Sequence, residues 1–148
     1  MAYKIFLDTN IVLDIFHHER PFHKDAIELF YYLDENKITA SFSESVLTTM
    51  AYVLRKSMSM SQISKIILNL NKKVILLPCL PPLINASISN DPPDFEDSLL
   101  YEIALHHQMD YFITSNIKDF RSIQRADLPV MNAKNFNKLL LASESKNF

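Results

Sequence analysis

Three carboxylates, Asp8, Asp97 and Asp119, stand where chemistry could be done, each beside an apolar segment. Asp8 closes the run Lys4-Ile5-Phe6-Leu7 and opens Asp8-Thr9-Asn10. Asp97 ends Asp94-Phe95-Glu96-Asp97, and Asp119 follows Tyr111-Phe112-Ile113 in a polar stretch that includes Asn116. Two unit charges ~5 Å apart at an effective dielectric near 20 repel by about 3 kcal/mol. Converging acids therefore call for a cation, a proton or wide spacing. No Cys or His cluster accompanies them, so the ligands on offer are hard oxygens, which suit Mg²⁺ or Mn²⁺ rather than Zn²⁺. Such an ion activates water and stabilises charge on a phosphate. The chemistry this pattern points to is metal-dependent attack on a phosphodiester.

Each acid also has an ordinary structural use. Asp94 suits a helix N-cap, and Asp97 suits the positive end of the same helix. Asp119 could cap a turn, and Asp8 could satisfy backbone groups at a strand end. Their matching topological positions favour a shared site over three coincidences.

Positioning them requires strands and helices in alternation. Leu99, Leu100, Ile103 and Ala104 recur at helical spacing, so Asp97 to His107 reads as an amphipathic helix. Tyr111 to Thr114 reads as a short buried strand, as do Lys4–Leu7, Ile38–Phe42 and Val74–Leu77. Leu128–Met131 contains a proline and reads as an edge strand. Helical patterns fall at Thr9–Phe16, Phe22 to about Asn36, Val46–Met58, Ser61–Asn71, within Pro78–Ser89, and at Asn135–Leu141. This alternation predicts an α/β fold, a parallel sheet with helices on both faces. In such sheets, sites form outside the C-terminal strand ends. If the first strand and the Tyr111 strand are parallel neighbours, Asp8, Asp97 and Asp119 converge.

At 148 residues the chain has the size of one domain. We place that domain at 1–141 and expect residues 142–148 to fray. A net charge of −2 gives no global basic field, so nucleic-acid binding would need a local patch. The lone Cys79 excludes an intramolecular disulfide and fits a reducing compartment; with no signal-peptide pattern and no apolar run of membrane-spanning length, the expectation is a cytoplasmic protein without a membrane partner. The chain contains no glycine, which rules out a P-loop or G-x-G-x-x-G loop and leaves left-handed turns to Asn and Asp. His17, His18 and Arg20 lie on a loop that could reach phosphates, although a solvated loop is the simpler reading.

The stretches I-F-L-D-T-N at 5–10, D-F-E-D at 94–97 and D-Y-F-I-T-S-N-I-K-D-F at 110–120, with A-Y-V-L-R-K at 51–56, resemble the PIN-domain ribonucleases. That family includes the VapC-type toxins of bacterial toxin–antitoxin pairs. The resemblance implies a single three-layer PIN-like domain, Mg²⁺ or Mn²⁺, and an RNA substrate. It also implies a cognate antitoxin and a homodimer. Carried over by position, Asp8, Asp97 and Asp119 are the metal carboxylates, and Asn116 completes the catalytic corner with Asp119. Asn10 orients Asp8 or its turn, and Thr114 and Ser115 line the strand end. Ser115 stands where the family often has Arg. The family's second acid aligns with Thr49, and the nearest acid, Glu44, is either a displaced ligand or a helix N-terminal charge. Asp94 and Glu96 are set aside, because neighbouring side chains leave a helix in different directions.

Two other functions compete with a metal-dependent endoribonuclease. One is a degenerate PIN module that binds RNA or protein with little catalysis, suggested by Thr49, Ser115 and the acidic net charge. The other is a phosphatase with Asp8 as covalent nucleophile, which needs a second acid two residues on, where this chain has Asn10.

Overall fold

The computed structural model describes residues 2–146. Its centre is a five-stranded sheet of order β3-β2-β1-β4-β5, in which every neighbouring pair is parallel. The strands are β1 (Tyr3–Leu7), β2 (Ile38–Ser43), β3 (Ile75–Leu77), β4 (Tyr111–Ile113) and β5 (Val130–Met131). Seven α-helices flank them among the described residues: α1 (Thr9–Phe16), α2 (His23–Asp34), α3 (Glu44–Leu54), α4 (Met60–Lys73), α5 (Pro81–Ile88), α6 (Phe95–His106) and α7 (Ala133–Ser145). The α/β expectation holds, and β5 is the edge strand its proline foretold.

Burial explains why the inner strands read as nearly continuous apolar runs. Ile5, Phe6 and Leu7 are fully buried, as a strand covered on both faces must be. On one face Phe6 stacks on Phe112 at 5.3 Å, and Tyr101 of α6 covers Phe112 at 5.6 Å. On the other face Phe136 of α7 packs edge-on against Tyr3 and Tyr111. The helices thus close the sheet from both sides around one core.

Local sequence sets the boundaries. Ser59 and Gln62 form a reciprocal capping box that starts α4 at Met60. Pro81 and Pro82 open α5, where missing N–H groups leave no helical bond unmade. Asn36 and Asp91 do take left-handed backbone, at φ 61° and 48°, but a third such position falls to Gln108, at φ 58°. Within the segment 142–148 expected to fray, α7 continues through residues 142–145, and residues 147–148 lie outside the described range.

The strand order fixes where a site can form. Connections from β1 run to β2 on one side, while β4 joins β1 on the other. The crevice therefore opens beyond the C-terminal ends of β1 and β4, the point at which the order reverses. Leu7 pairs with Ile113, so Asp8 and Thr114 are the next residues out of the sheet at that point.

Candidate active site

Asp8 leaves β1 into this crevice and caps α1. Its Oδ1 accepts from the Thr9 N–H at 2.8 Å, and its own N–H bonds the Ile113 carbonyl at 3.0 Å. Its Oδ2 accepts from Thr114 Oγ1 at 2.8 Å and from Asn10 Nδ2 at 3.1 Å. Asn10 Oδ1 in turn accepts from the Ser115 N–H at 3.0 Å, and Thr114 Oγ1 accepts from the Asn116 N–H at 3.1 Å. Asp8, Asn10, Thr114, Ser115 and Asn116 are therefore one hydrogen-bonded unit spanning two strand ends. Asp8 and Thr114 are buried. Burial pushes the Asp8 carboxyl above its ordinary value, against the lowering effect of Thr114, Thr9 and Asn10, and Glu96 adds to the rise.

α6 brings the second group of acids. Asp94 is its N-cap, with Oδ1 accepting from the Asp97 N–H at 2.9 Å. Glu96 and Asp97 then occupy the first turn, at the positive end of the helix. Asp97 is half-buried, and its carboxyl is pushed up to about 7. Burial contributes most, followed by Asp8, Asp94, Asp119 and Glu96. Asp119 sits exposed in a 3₁₀ turn, Ile117–Phe120, and its N–H bonds the Asn116 carbonyl at 3.1 Å. Asp94, Asp97 and Asp119 line one open hollow of ≈ 420 Å³, with Lys118 and Arg121 at its margin.

Other sequence candidates fall elsewhere. Glu44, in the first turn of α3, lines a separate hollow with Leu76, Leu77 and Leu99. Thr49 is half-buried on α3 and, being neutral, adds no charge to the cluster. Arg20 is not a free cation for phosphate: its Nε is 2.5 Å from Oδ1 of the buried Asp14.

Glu96 is the residue that sequence reasoning passed over. Asp94 and Asp97, three residues apart, line the same hollow, whereas Glu96 is not among its lining residues. All three nevertheless sit at the same helix end, and the capping assignment of Asp94 was the signal that put Glu96 and Asp97 in the first turn together.

The donor set is entirely oxygen. Among the described residues, no group of three or more His, Cys, Asp or Glu side chains is gathered closely enough to hold one ion. The arrangement fits a cation that takes one or two carboxylates and keeps several of its own waters, as Mg²⁺ does. The carboxyl of Asp97 is raised first by burial and then by the neighbouring acids, which is consistent with negative charge gathered at this helix end.

A PIN-domain profile matches residues 4–118, across β1 and the acids of α6 and into the first half of the 3₁₀ turn, ending one residue before Asp119. The chain belongs to the PIN domain family. As a PIN domain it is 29% identical over 142 residues to Ribonuclease VapC1 of Aquifex aeolicus, covering 90% of this chain and 92% of that protein. Its fold resembles VapBC2 from Rickettsia felis bound to a promoter DNA fragment, with TM-score 0.64, 18% identity and 87% and 98% coverage of the two chains. It also resembles a toxin–antitoxin complex from Klebsiella pneumoniae, with TM-score 0.63, 19% identity and 84% and 94% coverage. Mycobacterium tuberculosis VapC20, a Sarcin-Ricin loop cleaving toxin, matches with TM-score 0.59, 14% identity and 73% and 86% coverage. The expected PIN fold and family are thereby established.

Proposed function

We propose that this PIN domain is a divalent-metal-dependent endoribonuclease and the toxin of a toxin–antitoxin pair. The observation that carries the reading is geometric: Asp94, Asp97 and Asp119 line one hollow, and Asp8, held by Thr114 and Asn10, stands near enough to add to the rise of the half-buried Asp97. A site that gathers this much negative charge is built for a cation.

One or two of the carboxylates Asp8, Asp97 and Asp119 would hold the ion, which keeps its remaining waters. When bound there, Mg²⁺ or Mn²⁺ supplies a lowered water pKa and a counter-charge for the phosphate. The chain's own part is positioning. Thr114 and Asn10 fix the Asp8 carboxylate by donating to Oδ2, and the Thr9 N–H fixes Oδ1. Asn116 ties the Asp119 turn to Thr114 through its backbone. Lys118 and Arg121 supply two positive charges beside the three acids of the hollow, where a phosphate could be met.

The ribonuclease relative and the toxin–antitoxin neighbours support RNA as substrate and an antitoxin as partner. Exposed apolar side chains such as Tyr52, Ile84 and Ile88 supply surface for the homodimer and antitoxin contacts we assign to it. The free thiol of Cys79 is exposed, which supports a reducing compartment such as the cytoplasm.

A second reading, a PIN module that binds without cleaving, is favoured by the absence of a tight three-carboxylate group among the described residues. Calorimetric Mn²⁺ titration of wild type and Asp97→Asn, paired with cleavage of total RNA, separates the two. The nuclease reading requires affinity and cleavage to fall together in the variant. Wild-type protein that folds but neither binds Mn²⁺ nor cleaves RNA would favour the binding module.

A further inference from the structure

Beside the acid hollow lies a second one, of ≈ 310 Å³, and the two share Pro93 and Ser122 in their linings. One wall is Asn90, Pro92 and Pro93, ahead of α6. The other is Ser122 and Gln124, beyond the 3₁₀ turn, with Ser98 between them. Its volume is at the small end of the ~300–1,000 Å³ range of ligand pockets.

Both walls are anchored to α6, the helix that carries Asp97. Ser98 Oγ donates to the Ser87 carbonyl at 2.7 Å, which fixes α5. The buried Tyr101 hydroxyl donates to the Leu128 carbonyl at 2.6 Å and accepts from the Arg125 N–H at 2.8 Å, which fixes the far loop. The hollow is thus set in place relative to the acids before any ligand arrives, and fixed walls spare a ligand the ordering of the loop.

Its charged lining is Asp91 and Glu102 against Arg125, so it is not cationic. Arg125 is engaged by Glu102 at 3.0 Å, and Asp91 also lines the space, so a second phosphate would be repelled. Asn90 and Gln124 stand exposed at the rim, each with amide donors and an acceptor. The two prolines offer a flat apolar face. A flat, uncharged group with donors and acceptors on its edge is what this lining matches, and a nucleobase splayed from a single strand is such a group.

We propose that this hollow is the subsite for one base of the RNA, next to the phosphate at the acids, with the Asn90 and Gln124 amides reading the base edge. The proposal rests on the ribonuclease reading above and deepens it by placing a specificity site.

The test uses wild type, Asn90→Ala and Gln124→Ala; both positions are exposed, so the variants should fold. First, the four nucleoside 5′-monophosphates are titrated to millimolar concentration in Mg²⁺ while the side-chain amide resonances of Asn90 and Gln124 are followed. The expected result is saturable shifts at both amides, with at least a severalfold preference for one base. Second, an RNA pool randomised around its cleavage sites is digested. Wild type should prefer one base at one flanking position by about tenfold, and each variant should flatten that preference. Amide shifts without any cleavage would keep the subsite and remove the nuclease reading. Cleavage with no amide shifts, or with a preference unchanged in both variants, would overturn the subsite and leave the nuclease reading standing.

Discussion

Thr114 Oγ1 donates to Asp8 Oδ2 across 2.8 Å and 106 residues of chain. This bond joins the ends of β1 and β4 at the switch point of the sheet, and it aims the most buried acid of the site. The same hydroxyl accepts from Asn116 N–H, so one side chain sets both the carboxylate and the start of the Asp119 turn. Thr114→Val keeps the shape and removes both of these bonds and a third, accepted from Asn10 Nδ2 at 3.3 Å. Urea denaturation should show a loss of about 1–3 kcal/mol, the range for leaving buried polar partners unsatisfied. The variant should also titrate Asp8 higher, since that bond lowers its carboxyl. The acid limb of the cleavage profile should therefore move to higher pH.

Asp97 predicts an unusual pH dependence of stability. Its carboxyl is raised from an ordinary 3.8 to about 7 in the folded chain. Between those values the folded state holds a proton that the unfolded state has released, so stability falls as pH rises. The contribution is complete below the lower value and lost as pH passes the upper one. In EDTA, the Tm of wild type should decline from pH 4 toward pH 7 more steeply than that of Asp97→Asn. Mg²⁺ should restore wild type at pH 8 and have less effect on the variant.

Gln108 ends α6 in a left-handed conformation, at φ 58°. The Gln108 N–H bonds the Leu105 carbonyl at 3.0 Å, and the Met109 N–H bonds the Ala104 carbonyl at 3.1 Å, the paired closure of a Schellman motif. A residue with a Cβ is disfavoured there by roughly 1–2 kcal/mol, offset in part by the greater entropy glycine loses on folding. Gln108→Gly should raise stability by about 0.5–1 kcal/mol. Thermal melts check this, and RNA cleavage should be unchanged, because the position lies at the opposite end of α6 from Asp97.

Asp14 is buried, and its Oδ2 has no hydrogen-bond partner among the described residues. Burial raises its carboxyl, while Arg20 and His23 draw it down. Arg20→Ala should therefore destabilise the fold by about 2 kcal/mol, below the 3–5 kcal/mol for breaking a fully buried pair because Arg20 is partly exposed. Chemical denaturation would detect the loss. Asp14→Asn in the Arg20→Ala background should recover part of it, since the buried charge is then gone.

The sheet was legible because buried parallel strands leave apolar runs. Ile5-Phe6-Leu7 and Tyr111-Phe112-Ile113 end in polar residues at the very points where the chain leaves the core. Asp8 and Asp97 could be placed together from topology alone. Three features were not readable at that level. Glu96 shares the capped first turn of α6 with Asp97 and adds a minor part of the rise at Asp8, which depends on helix position rather than spacing. Glu44 faces another hollow because α3 begins directly after Ser43, one register choice among several that the sequence allowed. Arg20 looked solvated because nothing near it in sequence announces that Asp14 is buried on the inner face of α1.

The central claim is that these acids serve metal-dependent RNA cleavage. Single-turnover digestion of a mixed RNA pool in Mg²⁺ or Mn²⁺, with wild type beside Asp8→Asn, tests it most directly. We expect cleavage by wild type that EDTA abolishes and that the correctly folded variant lacks. Cleavage of equal rate in the two proteins, or no metal-dependent cleavage by folded wild type, would contradict it.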